Sequence, residues 1–330
     1  MTEPEDGTSR PRRAPNDQRF WIVTTYYNPC AYRSRFENYH HFRRGLSAPL
    51  LTIELARPGC FELTEDDATQ LVRVESEDVM WQKERLTNLA LDHLPPECEA
   101  LAWVDCDILF ESDAWVEDAS LALKTYPLVQ CFTRMRYLPQ DARLSAPLAE
   151  QTYFTRPSLG ARLQQGEDVF SSNATSLADA IRHGVPWSCS AGAAWSMRRD
   201  VLASVGLYDA MIVGGGDGAL AHAALGEQDR LMSILRFSPA HAEHYCEWAS
   251  KFHNITKDGI GVVAGDIYHL WHGRLRDRKY SVRQAILSKF AFDPNVDIGV
   301  AESGCWRWNS DKPALHQAIA EFFVRRREDG

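Results

Sequence analysis

The sequence predicts an α/β protein with a mostly parallel central sheet flanked by helices and a helical extension at its C-terminal end. Between residues 20 and 133, short β-branched and aromatic runs alternate with segments of helical periodicity, a pattern typical of a parallel sheet covered on both faces. The length of 330 residues fits one large α/β domain with extensions or two smaller domains. With 45% hydrophobic and 25% charged residues, the composition is that of a globular protein and excludes a disordered one.

Charge and cysteine usage narrow the function classes further. The formal net charge of −9 disfavours extensive phosphate contacts with nucleic acid unless a local basic patch supplies them. No apolar run approaches the roughly 20 residues of a membrane-spanning helix. The 8 cysteines form no CxxC pair, so we interpret them as small buried side chains in a reducing compartment. Residues 1–18 are polar and Pro-rich, and we expect a flexible tail, no secretory leader and a cytoplasmic protein.

The first half of the chain is predicted to contain four strands and three helices. Strand predictions fall on β-branched and aromatic runs at 20–25, 50–55, 101–104 and 128–133. Helix predictions fall on 33–45, 79–94 and 112–126. Asp78 and Ser112 are candidate caps of the second and third helices, and Gly45, Pro95 and Pro127 are expected to follow the three helices.

Residues 134–186 break this alternation. They show little periodicity, and we expect irregular loops with one short helix near 176–183, of the kind that forms binding loops or lids. Beyond them, strands are predicted at 190–197 and 260–268, and helices at 199–205, 214–225, 241–253 and 313–327. The last helix has Ser310 or Asp311 as its candidate cap, and its apolar face comprises Leu315, Ile319, Phe322 and Phe323.

Two carboxylates follow the apolar strand at 101–104. Asp105 and Asp107 are two positions apart, so they point to the same side at the carboxyl end of the strand, where open α/β sheets bind ligands. Their mutual repulsion would be relieved by a divalent cation or by a shared proton. The alternative is a solvated loop that happens to carry two acids.

A second candidate site is the run Gly214-Gly215-Gly216-Asp217. Three glycines allow the backbone to approach a ligand closely and to begin a helix. Asp217 is then a carboxylate held at a helix end as a general base, or only a favourable first-turn residue of that helix. The run does not have the G-x-G-x-x-G spacing and does not follow the first strand, which disfavours a dinucleotide site.

A third candidate is the pair His269 and His272, which follows the strand predicted at 260–268. Two imidazoles three residues apart can face one ion, and imidazole with carboxylate suits Mn²⁺ or a related divalent ion better than Ca²⁺. Such an ion fits the binding of a diphosphate. The alternative is one histidine in the core and one on the surface.

Basic and aromatic residues complete the set of candidates. Lys83 and Arg85 lie on the helix before the Asp105 strand and are candidates for phosphate or base contacts, or for a solvated helix face. Trp195 is a candidate for stacking on a sugar or base, although a buried core position is the commoner outcome for a tryptophan.

Taken in order, these pieces resemble the GT-A fold of nucleotide-sugar-dependent glycosyltransferases, and within it the family-two-like and β-1,4-galactosyltransferase types. The resemblance covers roughly residues 20–275 and rests on strand 22–25, the D-x-D at 105–107, the segment 192–217 with its Gly-Gly-x-Asp element, and the histidines at 269–272. Two positions depart from the family pattern, since Gly216 replaces an acidic residue and Val213 an aromatic one. They leave the identity of the acceptor open.

The resemblance implies a role for each matched residue. Asp217 corresponds to the catalytic base, Asp107 to a metal ligand, and Asp105 to a contact with the ribose or with a water on the metal. His269 and His272 correspond to late metal ligands. The nucleotide-sugar contacts are then expected at Thr25, Tyr26, Lys83, Arg85, Asp105 and Asp107, and the acceptor or sugar pocket at Trp195, Gly215 and Gly216.

The implied activity is an inverting, metal-dependent transfer from a nucleotide diphosphate sugar, with a UDP-sugar favoured, to an acceptor hydroxyl. Mn²⁺ is the favoured ion and Mg²⁺ the alternative. The acceptor is a glycan, a lipid-linked glycan, a protein or a modified nucleic acid. The expected domain spans 19–275, with a donor half at 19–133 and an acceptor half at 187–275, and 276–330 form the helical extension. A non-catalytic nucleotide- or sugar-binding module and a nucleotidyltransferase are the alternative functions.

Overall fold

A seven-stranded sheet lies at the centre of the protein. The computed structural model describes residues 19–170, 188–257, 259–280 and 283–330. The strands in chain order are β1 (Phe20–Tyr27), β2 (Leu50–Ala56), β3 (Gln70–Glu75), β4 (Ala100–Val104), β5 (Ile108–Phe110), β6 (Leu128–Gln130), β7 (Arg134–Tyr137), β8 (Phe154–Pro157), β9 (Ala194–Arg198), β10 (Ile260–Val262), β11 (Asp266–His269), β12 (Ile298–Val300) and β13 (Trp306–Trp308). The central order is β10-β6-β9-β4-β1-β2-β3.

Every strand pair of this sheet is parallel except the two that involve β9, which runs antiparallel to β4 and to β6. The predicted α/β fold with a mostly parallel central sheet is therefore confirmed. A second sheet has the order β5-β11-β7-β8, and β12 pairs with β13.

Helices cover the central sheet, and the predicted helical extension at 276–330 contains helices together with the β12–β13 pair. In the described ranges they are α1 (Arg33–Arg44), α2 (Lys83–Ala90), α3 (Trp115–Ala122), α4 (Leu159–Gln164), α5 (Arg199–Val205), α6 (Gly216–Ala224), α7 (Gln228–Leu235), α8 (Pro239–Thr256), α9 (Ala285–Lys289), α10 (Pro294–Asp297) and α11 (Pro313–Arg325). None of the described helices is both long enough and apolar enough to cross a membrane.

Two hydrophobic cores lie on the two faces of the sheet. Trp21 and Val23 of β1 belong to one core, whereas Phe20 and Ile22 belong to the other, as the alternation of side chains along a strand requires. The predicted apolar face of α11 is confirmed, because its four residues are buried in the first of these cores. The C-terminal helix is thereby packed onto the central domain.

Two helices are shorter than their patterns predict. α2 begins at Lys83 rather than near residue 79, because Trp81 donates its backbone N–H to the carbonyl oxygen of Ile212 and this bond ties the preceding chain to another segment. Asp78 is not a cap; its carboxylate accepts the backbone N–H of Trp308 at 2.9 Å. α3 begins at Trp115 with Ala114 as its N-cap, so Ser112 lies outside the cap position.

Residues 134–170 are more regular than the expected loops. β7, β8 and α4 form there, since β7 pairs with both β8 and β11, and these partners are distant in sequence.

The strand predicted at 260–268 is two strands in different sheets, separated by Gly265 with a φ of 132°. β3 and α7 were not predicted. α11 follows Lys312 as its N-cap, so neither Ser310 nor Asp311 caps it. The helix expected near 176–183 lies outside the described residues.

Candidate active site

A cleft of about 860 Å³ opens at the carboxyl ends of β1 and β4, next to the N-terminal ends of α2 and α6. Parallel strands end at this edge, which is where ligands bind in open α/β sheets. Eight of the residues predicted for the site line this cleft, and they are Thr25, Lys83, Asp105, Asp107, Gly215, Asp217, His269 and His272. Segments as distant as β1 and β11 therefore meet at one place.

Asp107, His269 and His272 form a group with the composition of a metal site. Their ligand atoms lie within 4.8 Å of one another. The Nε2 of His272 is 3.6 Å from Oδ2 of Asp107, and the Nε2 of His269 is 4.0 Å from Oδ1. These separations exceed hydrogen-bonding distance but approach the roughly 3 Å between neighbouring ligands of an ion with bonds near 2.1 Å. Oδ1 of Asp107 is buried and accepts no hydrogen bond from the described residues.

Both imidazoles are prepared to act as ligands. Nδ1 of His269 lies 2.8 Å from the carbonyl oxygen of Leu270, which can only accept, so Nδ1 donates and Nε2 is the ring nitrogen on the side of Asp107. Burial, with a contribution from Arg278, holds the pKa of His272 well below its usual range, so this imidazole is neutral. Burial raises the pKa of Asp107, and the charge of Asp105 raises it further. A divalent ion beside Asp107 would favour its charged form against both burial and the charge of Asp105. The residues present fit such an ion.

Lys83 joins the two acidic parts of the site. Its ammonium group lies 3.0 Å from Oδ1 of Asp105 and 2.9 Å from each carboxyl oxygen of Asp217. Burial alone would lower the pKa of Lys83, but these two carboxylates outweigh it and raise the pKa well above the usual value. Burial raises the pKa of Asp217, while Lys83 opposes that rise. Lys83 therefore stays charged and favours the ionised form of Asp217.

A second cavity, of about 870 Å³, shares Asp105, Gly215, Asp217 and His269 with the first. The Asp217 carboxylate thus belongs to the wall between two spaces. Gly192 lines the second cavity, and a Cβ added there would lie only 2.8 Å from Oδ2 of Asp217. The absence of a side chain at residue 192 leaves room for the carboxylate at this wall.

Four predicted site residues are not brought into the cleft. Tyr26 is buried on the opposite face of β1, where its hydroxyl donates to Glu62 at 2.6 Å, and Tyr27 lines the cleft instead. Arg85 lies on another face of α2 and donates to the carbonyl oxygen of Gly304 at 2.6 Å.

The other two positions are closed by packing. Trp195 is a fully buried core residue whose indole N–H donates to the carbonyl oxygen of Ala191 at 2.8 Å. Gly216 is covered by the side chain of Glu84. The sugar-pocket prediction at these two residues therefore does not match the lining of the cleft.

Several residues that line the cleft were not predicted from the sequence. They are Glu84, Arg35, Arg283 and Arg326. Arg35 and Arg326 are distant in sequence from the motifs, whereas Arg278, which also lines the cleft, belongs to the basic stretch close behind His272 that is a candidate for closing over the donor. The period-two alternation of β1 pairs Thr25 with Tyr27, and this signal identifies Tyr27 in place of Tyr26.

Glu328 neutralises part of this positive charge. Its carboxylate accepts two hydrogen bonds from Arg35, at 2.8 and 2.9 Å, and lies 2.8 Å from Arg326 and 3.3 Å from Arg278. Burial would raise the pKa of Glu328, but Arg35 and Arg278 hold it below its usual range. Three guanidinium groups with one carboxylate leave net positive charge beside Asp107.

Comparison with solved structures finds distant likenesses. TarS 1–349 of S. aureus in complex with UDP-GlcNAc is 12% identical with a TM-score of 0.36, over 93% of this chain and 72% of that chain. Glucosyl-3-phosphoglycerate synthase of Mycobacterium tuberculosis with Mn²⁺, UDP and phosphoglyceric acid is 15% identical with a TM-score of 0.36, over 87% and 84%. A Drosophila β-1,4-galactosyltransferase 7 mutant with manganese, UDP-Gal and xylobiose is 10% identical with a TM-score of 0.30, over 74% and 64%.

No protein-family model matches the sequence, and no curated protein matches it. The function of the cleft is therefore inferred from the arrangement of its own residues.

Proposed function

We propose that the protein is a metal-dependent glycosyltransferase that moves a sugar from a nucleotide diphosphate donor, with a UDP-sugar favoured, to an acceptor hydroxyl. The observation that carries the proposal is the convergence of a metal-ligand group, Asp107, His269 and His272, with the buried carboxylate of Asp217 in one cleft. A metal-ligand group and a carboxylate base that line one cleft suit the transfer of a group from a diphosphate to a hydroxyl.

Asp107, His269 and His272 are the residues that would hold the ion, with Mn²⁺ favoured over Mg²⁺ because two of the three ligands are imidazoles. When bound there, a divalent ion supplies positive charge to the diphosphate oxygens and stabilises their departure. The arginines that line the cleft add fixed positive charge on the same side. Three of them, Arg35, Arg278 and Arg326, surround Glu328, and their combined charge exceeds that of its carboxylate.

Asp217 has the position of a general base. In the proposed step the acceptor oxygen attacks the anomeric carbon, its proton passes to a carboxyl oxygen of Asp217, and the bond from that carbon to the diphosphate oxygen breaks with its electron pair on the diphosphate. This single displacement inverts the anomeric configuration. Lys83 supports the step because its charge keeps Asp217 ionised before the proton arrives.

The two cavities that meet at Asp217 suggest separate places for the two substrates. The cavity with Asp107 and His272 suits the donor, since the metal-ligand group and the arginines face it. The second cavity, beyond the wall formed by Asp105 and Asp217, suits the acceptor. A base between donor and acceptor is what a single displacement requires.

The experiment measures UDP release by the purified protein from UDP-glucose, UDP-galactose and UDP-N-acetylglucosamine, with Mn²⁺, with Mg²⁺ and with EDTA. We expect turnover of one donor with Mn²⁺, its loss with EDTA, and a fall of about 10²–10⁴-fold in D217N with donor affinity retained. D118N is the matched control, because Asp118 is an exposed acid in the first turn of α3. If Asp217 only stabilised the first turn of its helix, D217N and D118N would have similar effects.

Three results would contradict the proposal. Near-normal turnover in D217N would remove the base, and turnover indifferent to EDTA would remove the metal. Donor binding without any turnover in the wild type would favour the non-catalytic binding module instead.

A further inference from the structure

Glu84 occupies the space that a side chain at residue 216 would take. A Cβ added to Gly216 would overlap the Glu84 carboxyl group, and even Cγ of Glu84 would be only 2.7 Å away. Gly214 and Gly215 have positive φ angles of 80° and 107°, whereas Gly216 is the first residue of α6 and is not among the positive-φ glycines. The backbone at residue 216 thus tolerates a side chain, and what excludes one is the carboxyl group of Glu84.

This carboxyl group is buried at the edge of the cleft, and one of its oxygens lacks a hydrogen-bond partner in the described part of the chain. Glu84 is 4% exposed, and its Oε1 accepts no hydrogen bond from the described residues. Burial, followed by the charge of Asp217, raises its pKa to about 7, although Lys83 opposes the rise. A buried acid with an unpaired oxygen costs stability, so its presence at the wall of a cleft points to a ligand that completes it.

Glu84 faces the cavity proposed for the donor and not the one proposed for the acceptor. Glu84 lines the cavity that holds Asp107 and His272, but it does not line the second cavity beyond Asp217. It lies at the N-terminal end of α2, directly after Lys83, whose ammonium group contacts Asp105 and Asp217. A group bound between the metal ligands and Asp217 would therefore lie beside the side chain of Glu84.

We propose that Glu84 is a specificity-determining residue that accepts a hydrogen bond from a hydroxyl of the transferred sugar of the donor. This inference rests on the proposed function and adds to it the residue that recognises the sugar part of the nucleotide diphosphate. The chemical requirement is a donor whose sugar presents a hydroxyl toward α2. Glu84 supplies, from α2, a carboxylate beside Gly216 of α6.

The test compares the binding of UDP with the binding of UDP-sugars by titration calorimetry with Mn²⁺. Wild-type protein is measured with UDP, UDP-glucose, UDP-galactose and UDP-N-acetylglucosamine, and the tightest of the sugars is carried forward to E84A and E84Q. We expect E84A to lose about 10–100-fold in affinity for the UDP-sugar, and E84Q, which keeps one acceptor oxygen, to lose less than E84A, while affinity for UDP changes by less than about twofold. UDP is the internal control, since it lacks the transferred sugar.

Relocation of the carboxylate provides a rescue. In E84A/G216E the truncated residue 84 leaves space for a glutamate at residue 216, and we expect recovery of at least fivefold of the lost UDP-sugar affinity. E84A/G218E is the matched control with the same composition, because a Cβ at Gly218 has no heavy atom within 4 Å and its side chain would not fill the space beside Gly216. We expect no recovery there.

Equal losses for UDP and UDP-sugar in E84Q, or no loss in either variant, would overturn the inference while the metal and Asp217 results still support the transferase. Failure of wild-type protein to bind any UDP-sugar more tightly than UDP would overturn it as well. The proposed function fails separately, through the EDTA and D217N results. A urea midpoint of E84Q at or above that of the wild type excludes misfolding as the cause of a lost affinity.

Discussion

The ammonium group of Lys83 lies 2.9 Å from each carboxyl oxygen of Asp217, although the two residues are 134 positions apart in the chain. The same group lies 3.0 Å from Oδ1 of Asp105. One lysine thus connects the strand that carries the D-x-D to the helix that carries the proposed base. The positive charge of Lys83 favours the ionised form of the buried Asp217 carboxylate.

Replacement of Lys83 by methionine tests this connection. We expect K83M to lower turnover by about a hundredfold, because the site loses a positioned cation. We also expect the acidic limb of the kcat/KM profile to move to higher pH. Lys83 lowers the pKa of Asp217, whereas burial and Asp105 raise it, so its removal lets that pKa rise and requires a higher pH for ionisation.

The measurement is kcat/KM against pH for wild type, K83M and K251M. Lys251 is exposed on α8, and its replacement should leave the profile unchanged. An acidic limb at the same pH in K83M would show that Lys83 does not control the ionisation of Asp217.

The metal site makes a prediction that does not depend on turnover. We expect H269A, H272A and D107N each to weaken Mn²⁺ binding at least tenfold, since each removes one ligand atom of the group. Calorimetric titration with Mn²⁺ alone measures the affinity. H41A is the control, because His41 lies on α1 outside the cleft. Unchanged affinity in both histidine variants would remove the pair from the ligand set.

Substitution of Gly192 tests whether the Asp217 carboxylate needs the space beside it. A Cβ at residue 192 would lie 2.8 Å from Oδ2 of Asp217, so we expect G192A to displace the carboxylate and to lower kcat by about tenfold or more. G299A is the matched control, because a Cβ at residue 299 would make only ordinary contacts, at 3.5 Å or more, with Asn309, and Gly299 lines neither cavity. Equal kcat values for G192A and wild type, with equal thermal stability, would show that the carboxylate has freedom to move.

Glu328 tests the C-terminal attachment. E328A leaves Arg35, Arg278 and Arg326 buried without their shared carboxylate, and we expect a loss of about 3–5 kcal/mol in the free energy of unfolding at pH 7. E321A is the control, since Glu321 forms an exposed pair with Arg325 on α11 and should cost at most about 1 kcal/mol.

The pH dependence of this loss has a definite sign. The folded-state pKa of Glu328 is depressed, so its contribution is complete above the unfolded-state pKa and disappears as the pH falls through the folded-state value. Urea unfolding of wild type and E328A between pH 7 and the acidic range measures it. A difference that grows on acidification would contradict the arginine cluster as its origin.

Local patterns predicted most of the regular elements. The helix predicted at 199–205 is observed as Arg199–Val205, and β-branched runs coincide with β1, β2 and β4, because periodicity and end signals act over a few residues. The predictions were wrong for elements whose formation or boundaries depend on contacts between distant segments. β7 and β8 form through mutual pairing, and α2 starts late because of a backbone bond to Ile212.

The same division applies to the site. Asp105, Asp107, Asp217, His269 and His272 stand out in the sequence through spacing and context, and they meet in one cleft. Arg85 was misplaced because residues two positions apart on a helix point about 200° apart, so Arg85 cannot share the direction of Lys83. Its side chain contacts Gly304 and Asp209 instead.

The sequence by itself determined the alternation of strands and helices, the type of sheet and the chemical nature of the candidate ligands and base, because these depend on residue types at short spacing. The tertiary structure alone decided which side chains face one another. The contact of Lys83 with Asp217, the cover of Gly216 by Glu84 and the arginines around Glu328 join segments far apart in the chain. No short-range pattern encodes such contacts, since they arise only when separate elements pack around a common core.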